Sequence, residues 1–178
     1  MTVTVPQVEA ARPEGLTQSA AELGQKATGL AAQIKTQKAT LDGLRSGWQG
    51  PASDAAIAQA QTTLDRMQKM HDAMTRTQTV MQQGGTTLTQ TRATVLGTVS
   101  TLRGQGWQVA DDGTVSVQPG SPLDQFAKIS PSNAMKIQQL AAVNSVNVKG
   151  QLAQFDATDR AFDKNLRAPP PGAWTADQ

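Results

Sequence analysis

Ser46-Gly47-Trp48-Gln49-Gly50-Pro51 is the stretch on which the reading of this chain depends. Two of its glycines and its proline sit within four positions of the tryptophan, a composition that ends a helix and lets the backbone reverse. Upstream, Leu16, Ala20, Leu23, Ala27, Leu30, Ile34, Leu41, Leu44 and Trp48 recur at steps of four and three, with Gln37 as the polar member of the series. That is a coiled-coil-like seam, and it predicts a helix over 13–46 that opens at Pro13, whose fixed φ suits a first turn. Downstream, Ile57, Ala60, Leu64, Met67, His71, Met74 and Met81 continue into Leu88, Val95, Val99 and Leu102. This run predicts a second helix over 53–103, capped by Ser53 or Asp54, so that two antiparallel helices flank a turn at 47–50.

Both helices carry glycines that lower intrinsic helicity by up to about 1 kcal/mol each, so packing must supply much of their stability. Gly84-Gly85 marks either a weak point in one long helix or a short break between two, and one weakened helix is the preferred reading. The period then changes. Trp107-Gln108-Val109, Asp111-Asp112-Gly113 and Thr114-Val115-Ser116-Val117 alternate around a turn signal and predict a β-hairpin over 106–118. Isolated hairpins are marginal in water, so Trp107 is expected to lean on the helices.

Ser130-Pro131, with Ser132 or Asn133, opens a third long helix over 131–167 whose apolar positions are Met135, Ile137, Leu140, Val148, Leu152, Phe155, Phe162 and Leu166. Pro169-Pro170-Pro171-Gly172 stops it, leaving 169–178, with Trp174, as a Pro-rich flexible tail. Residues 1–12 read as an N-terminal tail. The expected fold is mainly α: a long antiparallel helical hairpin plus a third long helix, with a small β-hairpin inserted before the third helix, all in one bundle over 13–168.

Composition supports slender helices. Of the 178 residues, 38% are hydrophobic and only 3% aromatic, too few for a thick α/β core. The 16 basic and 14 acidic residues are dispersed, so no basic, aromatic-studded face is offered to nucleic acid. Without cysteine there are no disulfides and no thiolate chemistry. The single histidine, His71, falls on the seam with no converging partners for catalysis or metal binding. Asp111-Asp112 is what a tight turn asks for, and Met67, Met70, Met74 and Met81 suit a core or an adaptable groove. Phosphate-binding loop, esterase elbow and zinc-protease motifs are missing, so the reading is a non-enzyme with no catalytic residue, cofactor or metal. No apolar run reaches the roughly 18 to 20 residues that cross a bilayer as a helix, so no stable membrane span is expected. Met1–Arg12 has neither a basic start nor the apolar run of a cleaved secretory signal.

Gly47-Trp48-Gln49-Gly50, set between two long amphipathic helices, resembles the Trp-x-Gly (WXG) turn of the helical-hairpin substrates of type VII (ESX) secretion. Trp48 and Gly50 are the matching residues. Phe155-Asp156-Ala157-Thr158-Asp159 is similar to that family's Tyr-x-x-x-Asp/Glu secretion signal, with Phe155 in place of tyrosine. The resemblance covers about Leu16 to Leu102 plus the later motif, and suggests an extended member from actinobacteria such as mycobacteria. It implies export from the cytosol, without a cleaved signal peptide, to the cell surface or beyond. It also implies function through protein–protein interaction, with the type VII machinery and a helical partner, either a second copy or a related WXG-type chain, as partners. Phe155 reads equally as a seam residue and Asp159 as a solvated one. A cytosolic helical adaptor or scaffold with a coincidental turn is the rival reading, and a membrane-active module a weaker one, because the charge is dispersed and the apolar face narrow.

Overall fold

The computed structural model describes residues 2–168. Its elements are α1 (Val5–Ala10), α2 (Glu14–Gly47), α3 (Pro51–Gly104), β1 (Trp107–Val109), β2 (Val115–Val117), α4 (Pro122–Ile129) and α5 (Pro131–Arg167). The fold is mainly α, with long helices and one small antiparallel sheet ahead of the last two helices. Where the sequence leads one to expect a single bundle, the chain divides into two compact units. Of the described residues, one, the hairpin unit, holds 15–83 and 165–168; the other, the sheet unit, holds 2–14 and 84–164. The expected Pro-rich tail, 169–178 with Trp174, lies outside the described residues.

In the hairpin unit α2 and the first part of α3 run antiparallel. Arg45 donates to the Gln61 side chain (2.8 Å) near the turn, while Gly24, far from the turn, sits against Gln78. Ala20, Ala27, Leu41 and Leu64 are buried, but Leu16, Leu23, Leu30 and Ile34 are only half-buried. Two helices cover a seam from one side, which accounts for the open flank.

The sheet unit is better packed. α3 continues unbroken through Gly84-Gly85, and a side chain at Gly84 would overlap the Phe162 ring of α5. Gly84 therefore serves close approach of two helices, and the helix does not break there. Leu88, Val95, Val99 and Leu102 of α3 are buried, as are Ile137, Val148, Leu152 and Phe155 of α5. Trp107, Val109 and Val115 turn inward from the hairpin, whose register pairs Trp107 with Val117 and Val109 with Val115. The loop closes with Gly113 N donating to the Ala110 carbonyl (2.9 Å) and Gly113 at φ 91°, a conformation glycine takes without a Cβ penalty. The hairpin leans on α5: the Val115 N–H donates to Ser145 Oγ (2.8 Å), and Gly113 packs on Val148, Lys149 and Leu152.

Within the expected N-terminal tail, residues 2–12 are packed. Thr4 and Gln7 form a reciprocal capping box that opens α1, and Val5 and Val8 are fully buried. The segment is tied down by Val5 N donating to the Asp111 carbonyl (2.8 Å) and by Arg92, which donates to the carbonyls of Val8 (3.0 Å) and Glu9 (2.8 Å). A second unexpected element is α4, capped by Ser121 with Pro122 in its first turn.

Candidate functional site

The turn between α2 and α3 is built from its backbone. Trp48 N still donates to the Leu44 carbonyl (2.9 Å), so the tryptophan ends α2 with a helical bond. Gly50 lies at φ 120°, in the region L side chains avoid, and its carbonyl accepts from Asp54 N (2.9 Å) as the first bond of α3. Gly50 thus occupies the cap position expected of Ser53 or Asp54, and Pro51 opens α3 at its first position, where its missing N–H is of no consequence. Ser53 is completely buried, and its hydroxyl donates to the Trp48 carbonyl (2.9 Å), bracing the turn from within. Sequence reading missed this role; the short Trp48-to-Ser53 span was the available signal.

Trp48 is 44% exposed, and Leu44, one helical turn earlier, is 39% exposed. The turn therefore presents an apolar ring at the end of the hairpin and does not consume it as a core anchor. An exposed tryptophan with one apolar face and one N–H donor is a recognition group.

Phe155 and Asp159 are separated by the structure. The ring, 6% exposed, is part of the sheet-unit core, whereas the Asp159 carboxylate is exposed. One turn away, Asp156 pairs with Arg160 (3.1 Å). His71 is half-buried, with Nδ1 3.5 Å from the Asp72 carboxylate and without a hydrogen-bond partner. Among the described residues no group of three or more His, Asp or Glu side chains is placed to hold a metal ion. No helix there is long and apolar enough to cross a membrane.

Two long antiparallel helices, a glycine-enabled reversal and an outward tryptophan define a Trp-x-Gly helical hairpin, here followed by a second packed unit. Comparison with family models gives the same class: residues 10–93 match the WXG100 family, described as proteins of 100 residues with WXG. The match takes in α2, the turn and most of α3, and over that region the chain is similar to the WXG family of type VII secretion substrates. Neither the curated proteins nor the solved structures give a match.

Proposed function

We propose that this protein is exported by a type VII secretion system as a folded helical bundle and acts afterwards through protein–protein contact, without catalysis. The observation that carries the reading is the braced Trp-x-Gly turn at the end of a WXG-family hairpin. The half-open seam at Leu16, Leu23, Leu30 and Ile34 supports a helical partner, a second copy or a related WXG-type chain, laid along the hairpin.

In this reading Trp48 and Gly50 shape the recognised end of the hairpin, and Asp159 supplies the acidic part of the export signal. Phe155 holds the α5 segment in place from the core side, and its ring is available to a receptor only when that segment loosens. The test is export of Asp159→Ala, Phe155→Leu and Phe155→Ala, each checked for helix content by circular dichroism. Asp159→Ala is expected to stay in the cell with unchanged helicity, and Phe155→Leu to be exported less than the parent while remaining folded. Normal export of both folded variants would remove these residues from the signal. Cytosolic retention of the parent chain itself would favour the adaptor reading.

A further inference from the structure

Buried polar atoms without a partner are few in folded chains, and each calls for an explanation. Arg76, half-buried on α3, holds one: its Nη1 is shielded from solvent and has no hydrogen-bond partner. A guanidinium is always charged and carries five N–H donors, so withdrawing part of it from water without an acceptor is costly. Arg76 borders a cleft of about 140 Å³ in the hairpin unit. Ala73, Thr77 and Val80 line it from the same face of α3, at the three- and four-residue spacing of neighbours on a helix. Asn165, Leu166 and Ala168 close it from the end of α5. An arginine beside a helix C-terminus ordinarily caps the last carbonyls, and Nη1 does not do so here.

The lining is chemically divided. Among the described residues of the cleft Arg76 is the one ionisable side chain, Thr77 and Asn165 add neutral donors, and the rest are apolar. One positive charge matches a singly charged anion; a phosphate monoester, at about −1.5 to −2 near pH 7, would leave charge unbalanced. The apolar share suits a short hydrocarbon stem. A water needs about 10–15 Å³ of such space, so the cleft takes on the order of ten non-hydrogen atoms, a carboxylate with its stem and little more.

We propose that this cleft is a subsite for an aliphatic carboxylate, the chemistry of a glutamate or aspartate side chain. The guanidinium donates to the carboxylate oxygens, Thr77 or Asn165 to a remaining lone pair, and the stem lies on Val80 and Leu166. Two sources fit: an acidic side chain of a partner protein, and Asp177 of the chain's own sequence. The inference rests on the cleft alone and is independent of the export reading.

The probes are sodium butyrate and its neutral isostere butyramide, added to the full chain at constant ionic strength while the Arg76 Nε–H and Val80 methyl signals are followed by NMR. Butyrate should shift both saturably with a Kd on the order of 1–10 mM, the range open to one charge-assisted contact and a short stem, and butyramide should shift neither. Arg76→Gln should abolish the Val80 response, and Arg76→Lys should weaken binding about threefold or more, because a point charge replaces the planar fork. Leu166→Ala, at a position 42% exposed and so of little consequence for folding, should weaken it about two- to fivefold. Asp177→Asn separates the sources. Butyrate binding more than about tenfold tighter in that variant supports the subsite with the chain's own carboxylate as its occupant, and unchanged binding supports it as open to a partner's acid. An equal response to butyramide, shifts that never saturate, or binding retained in Arg76→Gln overturns the proposal. So does the lack of any response to butyrate in both the parent and Asp177→Asn, and none of these results bears on export.

Discussion

Gly84 and Gly29 are both helical glycines, and their neighbours give them opposite roles. A methyl group at Gly84 would overlap the Phe162 ring, while Gly29 faces open space. Gly84→Ala is therefore expected to destabilise the sheet unit by about 1–3 kcal/mol, since overpacking outweighs the gain of about 1 kcal/mol in helix propensity. Gly29→Ala should instead stabilise the hairpin unit by up to about 1 kcal/mol. Urea unfolding followed by helical circular dichroism measures both; equal effects of the same sign would contradict the packing at Gly84. In the sequence Gly84 reads only as a weak point, because the ring that explains it belongs to a distant helix. Phe155 was legible as apolar and periodic, but the side it faces is decided by the sheet-unit core. Trp48 and Gly50 were legible from local chemistry alone, since a positive φ and a helix end are local requirements. The exposure of the indole was not, because it depends on what the neighbouring helix leaves uncovered.

Among the elements, the long helices and the hairpin were readable from their periods, and the short ones were not. α1 and α4 are too brief to show a 3.6-residue repeat, yet each carries a cap signature: Thr4-Val5-Pro6-Gln7 for the first and Ser121-Pro122-Leu123-Asp124 for the second. Two carboxylates, one in the first turn of α4 and one in the hairpin loop, also set a pH response. Asp124 accepts from Gly120 N (2.9 Å) and pairs with Lys128 (3.1 Å), and the backbone bond chiefly lowers its pKa. Asp112 accepts from Thr114 N (2.9 Å) in the hairpin loop, which lowers its pKa in the same way. A carboxylate whose pKa is depressed on folding adds stability above its unfolded value, near 3.9, and that contribution fades as the pH falls through the lower folded value. The melting temperature should accordingly fall between about pH 5 and pH 3, and the Asp112→Ala/Asp124→Ala double variant should fall less over the same range. An unchanged slope in the double variant would show that these two groups do not set the response.

At the scale of the whole molecule, the chain holds two compact units, a hairpin unit similar to the WXG family and a sheet-bearing unit. The helical class was readable because seam, turn and seam follow one another in sequence. The division into two units was not, since the apolar series of α3 runs through both, and only the contacts of α1, the β-hairpin and α5 reveal where one ends. Export is the claim on which the functional account stands, and it requires the machinery to act on this chain. The most direct measurement compares tagged protein in culture filtrate from an actinobacterial host with and without a working type VII secretion ATPase, against a cytosolic marker for lysis. The account predicts protein in the filtrate only when the ATPase is active. Equal amounts in both filtrates, or retention in both with normal expression, would contradict it and leave the hairpin as an intracellular scaffold.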